Sequence, residues 1–77
     1  MSKKYVKVNI DVNEEGRITP LRIIYNDTTF LIDKVLECRM APNLKVGGLG
    51  MRYTIRINGK PTFLWEENGR WWVETKN

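Results

Sequence analysis

Two Asn-Gly dipeptides, Asn58-Gly59 and Asn68-Gly69, each lie between stretches in which apolar and polar residues alternate. Both central positions of a two-residue type I′ turn need positive φ, which Asn tolerates and Gly adopts freely, and the turn's twist matches that of the strands it joins. The segment from Met51 onward is therefore expected to be a three-stranded antiparallel meander, with strands over 51–57, 61–66 and 71–75.

Period two governs the rest of the chain as well. Val6, Val8, Ile10 and Val12 alternate with Lys7, Asn9 and Asp11, the pattern of a strand with one buried face. Asn13-Glu14-Glu15-Gly16 reads as a turn, and Leu21, Ile23 and Tyr25 then alternate with Arg22, Ile24 and Asn26 in a second strand. Beyond a turn at 26–29, Phe30 and Ile32 share a parity that Leu36, Cys38 and Met40 continue only if Lys34 also points inward. Burying that ammonium unpaired would cost several kcal/mol, so a bulge or sharp bend near Asp33-Lys34 is expected to leave it in water. Ala41 to Gly50 is a connection broken by Pro42 and Asn43, with room for one short helical turn.

A hydrophobic share of 42% is too high for a disordered chain, and 77 residues are too few for two cores, so residues 1–77 form one domain. Five or six short strands with no helix to lie on them must cover their own faces, and closing into a small antiparallel barrel does this. An SH3-like barrel fits the strand lengths. An OB-like barrel is the alternative, although it generally runs longer and carries a helix between its third and fourth strands.

Gly47-Gly48-Leu49-Gly50-Met51-Arg52-Tyr53-Thr54, then Gly59-Lys60, the run 62–66 and Gly69-Arg70-Trp71-Trp72-Val73-Glu74 resemble a group of short uncharacterised bacterial proteins with the same order of elements. The likeness covers most of the chain. It implies a small SH3-like barrel in bacterial cytoplasm. It implies no activity, and no functional residue carries over from it.

Much chemistry is excluded by what the chain lacks. With no His and a single thiol, Cys38, there is no internal disulfide, no zinc site of the usual kinds and no Ser-His or Cys-His pair. Asp33 with Glu37 and Glu66 with Glu67 are carboxylate pairs close in sequence, and strand alternation or turn exposure separates them from any acid–base task. A non-catalytic module without a cofactor is expected. No apolar run is long enough for a signal peptide or a membrane span, so no membrane partner and a cytoplasmic location are expected.

Charge and aromatic residues point to a binding face. Residues 1–38 carry six cations and six anions, whereas residues 39–77 carry seven cations and three anions. Counting outward from the two turns pairs Ile55 with Thr62, Tyr53 with Leu64, Trp65 with Trp72 and Glu66 with Trp71. One face then holds Met51, Tyr53, Ile55, Ile57, Leu64, Trp71 and Val73, the expected core; the other holds Arg52, Thr54, Arg56, Phe63, Trp65 and Trp72. In a three-residue first loop Tyr53 would instead face Trp65, and every large apolar residue of that hairpin would lie in the core. In the two-residue register, Arg52, Arg56, Phe63, Trp65 and Trp72 form a candidate site, with arginines for phosphates and aromatic rings for bases. Single-stranded nucleic acid or RNA is the favoured ligand. The alternative is a protein partner or homodimer at the same face, since Trp, Tyr and Arg also dominate protein interfaces. Lys45, Gly47 and Gly48 are possible anion contacts in a backbone nest; the plainer reading gives the glycines a tight bend before a strand.

Overall fold

In three tight turns the chain adopts the backbone that the dipeptides require. Asn58 and Gly59 have φ of 52° and 77°, and Asn68 and Gly69 have 53° and 82°. Asn26-Asp27 forms a third such turn with φ of 50° and 60°, in the αL region that Asn and Asp tolerate better than other side chains.

The structure is a computed structural model that describes residues 2–43 and 48–75. Its elements are β1 (Ser2–Val12), β2 (Ile18–Tyr25), β3 (Thr28–Leu31), β4 (Lys34–Pro42), β5 (Leu49–Ile57), β6 (Lys60–Glu67) and β7 (Arg70–Thr75). They form one antiparallel sheet in the order β3-β2-β1-β7-β6-β5-β4. The first strand thus pairs with the last, and the sheet curls into a half-barrel, bringing Ile23 of β2 into one cluster with Tyr53, Ile55, Leu64 and Trp71 of β5–β7. The all-β class is as expected, but the described residues form seven strands rather than five or six.

The extra strand comes from a break in the stretch after Thr29. At Ile32-Asp33 the chain passes from one wing of the sheet to the other. The Ile32 amide donates to the Leu21 carbonyl at 3.1 Å and the Asp33 amide donates to the Arg56 carbonyl at 2.8 Å. The Asp33 carboxylate also accepts from the Gly59 amide at 3.1 Å, which ties this corner to the tip of the β5–β6 hairpin. Val35 pairs with Ile55 and Glu37 with Thr54, leaving Leu36 as the extra residue of a bulge. Bend and bulge each reverse the parity of the strand. Ile32, Val35, Cys38 and Met40 consequently share the inner face, while Lys34 is exposed outside, as expected of an unpaired ammonium.

A second irregularity accommodates Pro20. Asn9 pairs with Arg22 and Ile10 with Pro20, so Leu21 is skipped and left exposed, and the ladder is interrupted beside a residue that has no N–H to give it. The helical turn expected within Ala41–Gly50 falls largely on residues 44–47, outside the described residues. Among the described residues no helix is long and apolar enough to cross a membrane.

Ile55 and Leu64 are the most completely buried large side chains of the core. Leu64→Ala should lower unfolding free energy by about 2–5 kcal/mol in urea denaturation. Phe63→Ala, one position along on the exposed face, should change it by no more than about 1 kcal/mol. Equal effects would contradict the register.

Tyr53 supplies a pH test. Burial, then a hydrogen bond and charge interaction with the neighbouring Cys38 thiol, and then the Glu66 carboxylate raise its phenol from 10.0 to about 12. The unfolded chain gives up this proton near pH 10 and the folded chain holds it to about 12, so the stability it contributes is complete below pH 10 and is lost as pH rises between those values. Melting temperatures should fall more steeply over that window in the wild type than in Tyr53→Phe.

Candidate functional site

The β5–β6 register is the two-residue one: Ile55 pairs with Thr62, Tyr53 with Leu64, Arg52 with Trp65 and Thr54 with Phe63. In the next hairpin Trp65 pairs with Trp72 and Glu66 with Trp71. Arg52, Arg56, Phe63, Trp65 and Trp72 therefore do share the outer face of the sheet, and the three-residue loop is excluded.

That face is not an open aromatic platform. Trp65 and Trp72 are only 3% and 2% exposed and stack on each other, with centroids 5.1 Å apart and planes 7° apart. They form a second small core with Ala41. Lys3 lies over the Trp72 ring with Nζ 4.7 Å from its centroid. The buried Asn43 amide donates to the Glu74 carboxylate at 2.7 Å, fixing the end of β4 across this side of the sheet. Ala41 pairs with Gly50, and a Cβ on Gly50 would stand 2.6 Å from the Glu66 carbonyl oxygen, so only glycine allows β5 to start this close to β6.

Two rings of this face are in reach of solvent: Phe63, 44% exposed, and Tyr5, opposite Trp72 and 46% exposed, with the Arg70 guanidinium carbon 3.9 Å from its centroid. The Arg52 guanidinium carbon sits 4.6 Å from the Phe63 centroid, and Trp65 meets that ring edge to face at 6.5 Å. Beside them is a cavity of about 270 Å³ lined by Pro42, Asn43, Arg52, Thr62, Phe63, Trp65 and Glu74. Two buried donors of this lining, Arg52 Nε and Trp65 Nε1, have no hydrogen-bond partner among the described residues. Each such donor costs about 1–3 kcal/mol until an acceptor reaches it.

Cations gather next to the cavity. Across β4 and β5, Lys34 lies directly opposite Arg56 and Arg39 directly opposite Arg52. Glu37 is the acid within reach, its Oε1 3.5 Å from Arg52 Nη2. Like charges directly opposite each other in a sheet are destabilising, and these four share one face. Sequence counting missed Lys34, Arg39, Asn43 and Glu74. The β4–β5 connection is too long for its register to be counted from the turn, although the excess of cations over residues 39–77 did mark the region as basic.

Of the possible anion contacts, Lys45 and Gly47 lie outside the described residues. Gly48 has φ of 101°, and a Cβ there would stand 3.3 Å from both Lys3 Nζ and a Glu67 carboxylate oxygen. Its surroundings are thus of mixed charge, and the positive φ fits the bend reading.

Because Trp72 is a buried stacking partner, Trp72→Ala should cost about 3–5 kcal/mol of stability, measured by chemical denaturation. A loss below about 1 kcal/mol would show that the ring is not packed as described.

In comparison with known proteins, no family model, curated protein or solved structure matches this chain.

Proposed function

We propose that this protein is a non-catalytic binding module for single-stranded nucleic acid or RNA, held on the outer face of β4, β5 and β6. The observation that carries the reading is the pair of like-charge oppositions, Lys34 with Arg56 and Arg39 with Arg52, on one sheet face, where the ion pair among the described residues is that of Arg52 with Glu37. Such an arrangement is unfavourable in the free protein and is relieved when phosphates lie between the cations. Arg52 and Arg56 are four residues apart on one strand, about 13 Å at the rise of a β-strand, so they address different phosphates of an extended chain.

The cavity accounts for preferring single strands. An unpaired base placed against Phe63 would bring carbonyl and ring-nitrogen acceptors toward Arg52 Nε and Trp65 Nε1, the two donors without partners. Arg52 must shift for this, because both donor atoms are covered in the free protein. Phe63 supplies the stacking surface, and Trp65 and Trp72 act behind it as a rigid support rather than as platforms themselves. Residence in bacterial cytoplasm belongs to the same proposal.

Fluorescence anisotropy with short single-stranded RNA and DNA oligomers over a range of salt tests the reading. Affinity should fall steeply with salt. Arg56→Ala should weaken all sequences alike and lower the slope of log K against log salt by about 0.7–0.9. Phe63→Ala should cost about 1–3 kcal/mol of affinity and leave that slope nearly unchanged. No binding at low salt, or binding that ignores both substitutions, would overturn the proposal. Loss of self-association in Phe63→Ala would point to a protein interface on this face instead.

A further inference from the structure

The outward edge of β4 has a sequence that is complementary to itself. Around Cys38 it runs Leu36-Glu37-Cys38-Arg39-Met40, with an acid and a base flanking the thiol and an apolar residue beyond each. We propose that two copies of the chain pair edge to edge along β4, antiparallel about a two-fold axis at Cys38, to form a homodimer. In that register Glu37 of each copy faces Arg39 of the other, and the bulged Leu36 of each comes near Met40 of the other.

The edge is available for this. β4 ends the sheet order, so among the described residues no strand pairs with its outward N–H and C=O groups. Leu36, Glu37, Cys38, Arg39 and Met40 are all exposed, and a groove of about 460 Å³ lies between residues 35–38 and residues 17–19. Edges are usually protected by shortness, by internal proline, by uncompensated charge or by a bulge, and the bulge at Leu36 leaves the strand from Glu37 onward as the regular part of this edge. β3, the other edge, has four residues; β4 has nine, with its only proline at the last position. Leu36 and Met40 are 41% and 61% exposed, and pairing would cover them.

Charge complementarity selects a second copy as the occupant. Within one chain Arg39 faces Arg52, and the nearby acid, Glu37, is engaged with Arg52. Glu37 of the second copy would come directly opposite Arg39, and the two-fold repeats the contact, so both arginines gain a carboxylate. Cys38 would face its own copy. Opposed residues in antiparallel strands have Cα atoms about 4.5–5.5 Å apart, within the roughly 4.4–6.8 Å that a disulfide spans, so the exposed thiol reports the register. Edge pairing of this length covers less than the roughly 800 Å² per partner of a standard interface, and a dimer that exchanges at micromolar concentration is expected. The outer faces of the two sheets would then be continuous. This proposal does not depend on nucleic-acid binding, and a dimer that ignores oligonucleotides leaves it intact.

Sedimentation equilibrium of the wild type under reducing conditions should show a monomer–dimer equilibrium. Glu37→Arg and Arg39→Glu should each weaken it roughly tenfold or more, and the double variant Glu37→Arg/Arg39→Glu should restore it. All four positions of the reversed contact are exposed side chains, and circular dichroism checks that each variant is folded. Mild oxidation of the wild type, which requires no folded variant, should link Cys38 to Cys38 faster than it links Cys38→Ser/Lys60→Cys, whose thiol is exposed away from the edge. The proposal is overturned by a monomer at all concentrations, by a dimer indifferent to the single reversals, by a double variant that fails to restore pairing, or by crosslinking no faster than in the control.

Discussion

Positive φ at Asn58-Gly59 and Asn68-Gly69 is the constraint on which the rest of the structure depends. A two-residue turn leaves no freedom in the pairing of its strands, and in a sheet a slip by one residue moves every side chain to the other face. With Ile55 opposite Thr62 and Tyr53 opposite Leu64, the core receives Tyr53, Ile55, Leu64 and Trp71. The same counting sends Arg52, Phe63, Trp65 and Trp72 outward. Core and candidate site are thus two results of one turn geometry. The Asp33 carboxylate, accepting from the Gly59 amide, joins that geometry to the corner where the chain changes wings.

Around the half-barrel, irregularities do what the turns cannot. A strand that serves both wings must bend, and bending by one residue would put Cys38 and Met40 outside. The bulge at Leu36 reverses this, at the expense of leaving Leu36 itself exposed. β2 uses a similar device, in which skipping Leu21 places Pro20 where the ladder is already interrupted, and the freed Leu21 carbonyl accepts from Ile32. On the β2 wing the residue that fails to pair thus supplies a closing contact, while on the other wing Asp33 does so through Arg56 and Gly59.

What could be read from the sequence follows from the range of the interactions involved. Strand positions, the core face of β5–β7 and the exposure of Lys34 were legible because they rest on alternation, turn chemistry and the cost of burying a charge, all of which act within a few residues. The split of one expected long strand into β3 and β4 was half legible: Lys34 demanded a bend, but the hydrogen bonds from Ile32 to Leu21 and from Asp33 to Arg56 are contacts between distant parts of the chain. The burial of Trp65 and Trp72 was not legible. Strand parity assigns a side chain to a face but does not say whether something lies over that face, and here Ala41 and Lys3 do so from strands whose registers no tight turn determines. The two readings weighed for these tryptophans were therefore not exclusive: they lie on the outer face and are also core.

That second core changes what the outer face can be. A small domain has a stability of only about 0.05–0.15 kcal/mol per residue, so two unpartnered donors and two like-charge oppositions are a substantial fraction of the total. The stacked tryptophans beneath them offset this cost and hold the strands that carry Arg52, Arg56 and Phe63. Rigid support favours a binding surface, because side chains already held in place lose less freedom when a ligand arrives. The unfavourable features are also concentrated: Arg52 has the orphaned Nε, faces Arg39, pairs with Glu37 and lies over Phe63. An anion or acceptor at this one residue would relieve the charge opposition and satisfy the donor together, which makes Arg52 the point where the stability of the fold and the binding capacity of the face are coupled.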